Sequence, residues 1–335
     1  MLRRAPDHIG ANHYYIHAVE ASTHPERALA SARRLETLAS AAGHLVHMPA
    51  HIYFRTGDYP AAARSNALAA ETDRVYLRES GTMGSMYDIL YYAHNLHFLA
   101  AAYSMEGRFA DAKLAAHIGR MVLGDVSMVE PYIPTPIFVL LRFHRWDEVL
   151  KLPPPESNLA MTTAFWHFAR GSAAAAKGQI GIAEIERRTL EATRRETPAD
   201  LEFSMYSNKA VAFLDLAANI LDARIATAHA DRERAIEYWK NAVQIQDRLY
   251  YGEPPEWFYP VQESLGRALL QDEQPGQAET VFRADLQLYP RNPRSLFGHL
   301  KSLEVQRKTS DAEWVRREFE AAWKNADVTL ELGDL

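Results

Sequence analysis

The stretch LGRALLQDEQPGQAETVFRADLQLYP, residues 265–290, reads as two amphipathic helices around a polar turn near Glu273. Leu265, Gly266 and Leu269 share one helical face, and Ala278 and Phe282 share another. Small residues sit where two helices cross closely, larger ones fill the gaps, and Pro290 stops the second helix. The same pattern returns upstream in Leu99-Ala100, Tyr103, Gly107, Phe109, Ala112 and in Pro49-Ala50, Tyr53, Gly57, Tyr59, Ala62. Weaker copies centre on Gly171, Gly178, Ala183 and on Ala223, Ala226, Ala235, Trp239. Inter-helix turns are expected near Gly57, Gly107, His144, Gly178, Ala230 and Glu273, and strand signals are nearly absent.

A fixed spacing of helix pairs is the mark of a repeat architecture. The step from His144 to Gly178 is 34 residues; the others are longer, with the largest insertion over 72–86, TDRVYLRESGTMGSM. This resembles the tetratricopeptide (TPR) superfamily over nearly the whole chain. The resemblance implies an all-α solenoid of about eight helical hairpins wound into a right-handed superhelix. The first helix of each hairpin would line a concave groove, where such proteins usually bind peptides. We expect residues 1–335 to form a single solenoid: histidine-rich repeats over 8–125, further repeats over 126–335, and a Pro-rich break at 153–155.

Composition bounds the chemistry. The 335 residues are 47% hydrophobic, 24% charged and carry a formal net charge of −6, so nothing points to nucleic acid. With no cysteine, thiolate metal sites, disulfides and cysteine nucleophiles are excluded. No apolar run approaches a membrane span, and MLRRAPDHIG has no apolar core of a signal peptide. The default expectation is therefore cytoplasmic, with export of a longer precursor left open.

Histidine is placed with more order than its frequency requires. His44, His47 and His51 lie on one helical stripe, opposite Ala50 and Tyr53. His94 and His97 precede Ala100 by six and three, as His44 and His47 precede Ala50. His13 and His17 lie 34 residues before His47 and His51. The expected rungs across neighbouring helices are therefore His13–His47–His97, His17–His51 and His44–His94. Packed helices stand about 8–10 Å apart, so imidazoles at matched positions can converge on one ion. Glu20, three after His17, would add a carboxylate. HYYIHAVEAS (13–22), HLVHMPAHIY (44–53) and HNLHFLA (94–100) also resemble segments of a bacterial TPR group that carries this histidine set; Ala93 stands where that group's pattern has proline.

YGEPPEWFYP, residues 251–260, resembles part of the same group's pattern. Its Pro254 and Pro255 stop one helix and stiffen the approach to the next. Glu253 and Glu256 are candidate acid–base groups or ligands, and Trp257 and Tyr259 candidate substrate contacts. Helix capping and packing account for the same residues, so both readings stand. Asn12, Tyr14 and Asn95 are candidates to support the ligands or touch substrate. Met83 and Met86 make a Met-plus-His copper site conceivable. There is no P-loop, dinucleotide fingerprint, nucleophile elbow or HEXXH.

Two functions follow as expectations. In the first, the groove binds one or two divalent transition metals (zinc, iron or copper) and works as a hydrolytic or oxidative enzyme on a small molecule or peptide. The ligands would be His13, His17, His44, His47, His51, His94 and His97, with Glu20, Glu253 or Glu256 moving protons. In the second, the same face is a non-catalytic scaffold for a peptide or acidic protein partner. The oligomeric state is open in both.

Overall fold

The computed structural model describes residues 1–335 except 40, 83–84, 86, 88–90, 118–129 and 204–207; Met83 and Met86 thus lie outside the described residues. The chain is an all-α solenoid. The first half comprises α1 (Ile9–Glu20), α2 (Leu29–Leu38), α3 (Gly43–His47), α4 (Pro49–Arg55), α5 (Tyr59–Ser80), α6 (Ala93–Met105), α7 (Phe109–Ala115), α8 (Thr135–Arg142) and α9 (Trp146–Leu150). The second comprises α10 (Ala160–Ala176), α11 (Ile180–Glu196), α12 (Ala210–Ala228), α13 (Arg232–Gln246), α14 (Gln262–Gln271), α15 (Pro275–Leu288), α16 (Pro293–Val305) and α17 (Thr309–Trp323). They pack as successive pairs: α1/α2, α4/α5, α6/α7, α8/α9, α10/α11, α12/α13, α14/α15 and α16/α17. The short α3 leads into α4 and packs on α5. Among the described residues, the one extended feature is an isolated bridge between Glu202 and Lys209. No described helix is long and apolar enough to cross a membrane.

Sequence dictates the pairing locally. Phe282 on α15 is fully buried between two glycines: a Cβ on Gly266 would come within 2.4 Å of its ring, and one on Gly298 within 2.2 Å. Only hydrogen at both positions lets α14 and α16 close over that ring. The six turns expected from sequence each hold a residue with positive φ, from 51° at His144 to 77° at Gly57. Residues 72–80 of the insertion continue α5. Asp58 caps α5 by accepting from Ala61 N at 3.2 Å, and the helix runs on to Ser80 before Gly81 ends it in the left-handed region.

The C-terminal repeats close back on the N-terminal ones. Tyr59 Oη donates to the Pro290 carbonyl at 3.1 Å. The Asp327 carboxylate accepts from the backbone N–H groups of Phe109 (2.7 Å) and Ala110 (2.8 Å), capping α7 from 217 residues away. Arg142 and Glu263 form a buried ion pair, and Glu263 also accepts from Asn292 at 2.8 Å. One apolar core runs from Ile16 on α1 to Leu335. Segment 251–260 then lies against the histidine helices, with Glu253 on His51 and Phe258 on His97, where an open groove was expected.

Candidate metal centre

Six of the seven candidate histidines fall into two triads, with carboxylates between them. His47, His51 and His94 form one triad, His13, His17 and His44 the other, and His17 with Glu20 and Glu253 a third possible set. Within each set the ligand atoms lie within 4.8 Å of one another. α1 supplies His13, His17 and Glu20; α3 supplies His44 and His47; α4 supplies His51; α6 supplies His94. Pro49, at the first turn of α4, lacks an N–H and breaks α3 from α4 at Met48.

In the first triad the Nε2 atoms converge. His47 Nε2 stands 2.6 Å from His51 Nε2 and 3.1 Å from His94 Nε2. The outer faces of two of the rings are fixed. Asn66 donates its amide to the Ala62 carbonyl at 2.9 Å, so its oxygen can only accept. His47 Nδ1, 2.6 Å from that oxygen, must donate, which leaves the Nε2 lone pair inward. His51 Nδ1 faces Glu253 Oε2 at 2.5 Å and pairs also with Glu20, again leaving Nε2 inward. Carboxylate or amide oxygens that fix a histidine in this way are the usual support of a metal ligand. Two lone pairs facing each other at hydrogen-bond distance need a proton or a cation between them. Tetrahedral ligand nitrogens stand about 3.3 Å apart at metal–nitrogen bonds of about 2.0–2.1 Å, so a small outward shift admits an ion. The residues present therefore fit a divalent transition metal.

The second triad is looser and more open. His13 and His44 meet at 3.0 Å between Nε2 atoms, and His17 Nδ1 lies 2.8 Å from Glu20 Oε1. Glu20 thus joins the triads, with one oxygen on His17 and the other on His51.

Electrostatics divide the histidines. Burial lowers the pKa of His13, His47 and His94, and brings His44 to about 4, with neighbouring histidines adding to the effect. These rings are neutral at pH 7, as ligation requires. Burial would lower His51 too, but the Glu253 and Glu20 carboxylates outweigh it and raise its pKa to about 10, so without a metal its Nε2 carries the proton that it shares with His47, and an ion has to displace that proton. Burial works to raise Glu20, but the charge of His51 and hydrogen bonds to His17 and His51 hold it well below the carboxylate range. Burial raises Glu253 against the pull of His51, and Glu20 beside it adds to the rise.

One expected rung forms and another shifts by one helical turn. His17 does neighbour His51, with ring centroids 5.6 Å apart, but His13 meets His44 rather than His47, and His47 meets His94 rather than His97. Neighbouring helices cross at an angle, so residues at equivalent repeat positions need not face each other. His97 belongs to none of the three sets: its Nδ1 lies 2.7 Å from Thr135 Oγ1 and its ring packs on Tyr132 and Phe258. Glu256 is buried near Tyr132, on which its charge acts. Trp257 packs on Phe138 and Phe168, and Tyr259 on Phe138. Asn12 is spent on the carbonyls of Pro6 and His8, and Asn95 donates to Asp73 at 2.7 Å. Tyr14 is exposed, with its ring 4.9 Å from that of His13.

A cavity of about 430 Å³ opens beside this centre. His51 and Glu253 form one wall; Phe54, Phe98, Tyr251 and Trp257 make much of the remainder apolar.

The fold and site together define an all-α helical-repeat protein with histidine groups geometrically able to hold a metal ion. No family model matches the chain, and no curated protein matches it. Among solved structures it is similar to the Assembly Chaperone of RpL4 (Acl4), residues 1–338, covering 92% of this chain and 99% of that one, at 15% identity and a TM-score of 0.34. A TM-score that low carries no functional argument.

Proposed function

We propose that this chain is a TPR-type metalloprotein that binds one or two divalent transition ions, zinc, iron or copper, with His47, His51 and His94 as the primary ligands. His13, His17 and His44 form the second, weaker position. The observation that supports this reading is the convergence of three Nε2 atoms while Asn66 and the two glutamates fix the opposite faces of His47 and His51. A bound ion of this class supplies Lewis acidity or an activated water. Glu20 and Glu253 orient histidines, and Glu253, at the cavity wall with a raised pKa, is the group placed to carry a proton. The cavity fits a small molecule with an apolar body, which makes a metal-dependent hydrolase or oxidoreductase the finer reading.

A non-catalytic scaffold for a peptide or protein partner asks less of the site, because helical repeats build extended partner surfaces without any metal. On this fold His47 and His51 are 1% and 2% exposed and Glu253 lies on His51, so a partner would meet the half-buried His13, His17 and His44 first. Elemental analysis of protein purified without a nickel column separates the readings. Near-stoichiometric metal, lost in a His47→Ala, His94→Ala double variant that keeps its helical circular dichroism, supports the metalloprotein. Metal-free protein that also fails to bind added zinc, copper or iron overturns it and leaves the scaffold.

A further inference from the structure

The junction of α8/α9, α12 and α14 holds a second cavity, of about 310 Å³, walled by His144, Trp146, Arg224, Arg267 and the backbone of Gly333. It lies outside the histidine centre and shares no lining residue with the cavity there. Its charge is out of balance. Among the described residues, Arg224 has no hydrogen bond and no ion pair; its guanidinium rests between Trp146, 5.1 Å from the ring centroid, and Trp239, at 5.8 Å. Arg267 is 8% exposed, and its one hydrogen bond among the described residues is from Nη1 to the Gly333 carbonyl at 3.1 Å. The nearest acid, Asp334, is turned to His144, 3.7 Å from Nδ1. Its backbone carbonyl is taken by Arg294. The remaining pair in the neighbourhood, Arg142–Glu263, neutralises itself.

We propose that this cavity binds a small oxyanion, the phosphate of inorganic phosphate or of a phosphomonoester, between the guanidinium groups of Arg224 and Arg267. Taking a guanidinium out of water is costly unless an anion compensates it. Here two line one cavity, Arg267 buried and Arg224 half-buried, and the carboxylate that acts on Arg267, Asp334, is turned to His144. Burial lowers the pKa of both, and Arg224 pushes Arg267 further, to about 9; both stay cationic at pH 7. Forked N–H donors, those of Arg224 on an aromatic-braced plane, match the oxygens of a tetrahedral anion. His144 stacks on Trp146 at 4.6 Å and holds that brace in place. The cavity is roomier than a bare phosphate needs, which leaves space for the organic part of a monoester.

Titration calorimetry with inorganic phosphate and with glycerol phosphate, at ionic strength matched with sodium chloride, tests the proposal. Saturable binding is expected, with affinity lowered about 10-fold or more in Arg224→Gln and partly recovered in Arg224→Lys, which keeps charge but loses the fork. The exposed Arg316→Gln variant serves as control and keeps full affinity. Tighter binding of glycerol phosphate assigns the site to a monoester; equal binding assigns it to free phosphate. No binding beyond the chloride control, or unchanged affinity in a folded Arg224→Gln variant, overturns the site.

Discussion

Glu253 Oε2 lies 2.5 Å from His51 Nδ1, joining the loop before α14 to the second repeat across 202 residues. The contact makes the C-terminal half part of the histidine centre: a carboxylate from one end of the chain sets the orientation of an imidazole from the other.

Glu253→Gln keeps the size of the side chain and removes its charge. Metal affinity should fall about 10–100-fold, the usual cost of losing an oxygen that supports a ligand, with helical circular dichroism intact. Competition against a chromophoric chelator gives the number; an unchanged affinity would remove Glu253 from the centre.

Asn66→Ala should behave alike for a different reason. It frees His47 to place its proton on Nε2, the atom that faces the other ligands. A loss of about 10-fold in affinity is expected, and Asn66→Asp, which still accepts from Nδ1, should restore much of it.

His97 predicts an acid limit on the metal-free protein. Burial holds its pKa at about 4, against an unfolded value near 6.5. A lowered folded pKa means that the unfolded chain takes up the proton first. This stability is therefore fully present above pH 6.5 and is lost as pH falls towards 4, by about 3 kcal/mol in all. His44, also at about 4, titrates through the same window. Urea unfolding of metal-free protein between pH 7 and 4 should show the fall, and His97→Gln should flatten it; an unaltered slope in the variant would count against the assignment.

Two glycines with almost the same backbone angle should respond differently to alanine. Gly178 has φ of 71° and nothing within 4 Å of its missing Cβ, so Gly178→Ala should cost only about 1–2 kcal/mol. Gly57 has φ of 77°, and its Cβ would come within 2.1 Å of the Pro290 carbonyl oxygen, so Gly57→Ala should cost more than about 3 kcal/mol. Thermal melts of the two variants measure how tightly the ends are held together; equal losses would mean that the contact yields freely.

Local pattern carried the helices. Ala50 and Tyr53, Ala278 and Phe282, and the positive-φ turns are all set by residues a few positions apart, which periodicity reports directly. The histidines were visible as a set for the same reason. Their partners were not. Asn66 sits on the second helix of its pair, at a position that reads as packing, and its role depends on an amide turned by the Ala62 carbonyl. The offset that brings His94 rather than His97 to His47 comes from helix crossing, which repeat arithmetic does not contain. Asn12 and Asn95 stood next to histidines in sequence, yet their side chains point to Pro6, His8 and Asp73. Glu253 was legible as a candidate, but its arrival at His51 is set by curvature summed over many repeats.

The Asp327 cap on α7 has a consequence for how the molecule comes apart. A linear array of repeats frays from its outer modules, each opening at its own small cost. Here the last pairs are fastened to the second, third and fourth, so peeling the C-terminal pairs away first breaks Tyr59–Pro290, Arg142–Glu263 and the Asp327 contacts. Melting of the joined pairs should then come as a single concerted loss rather than one module at a time.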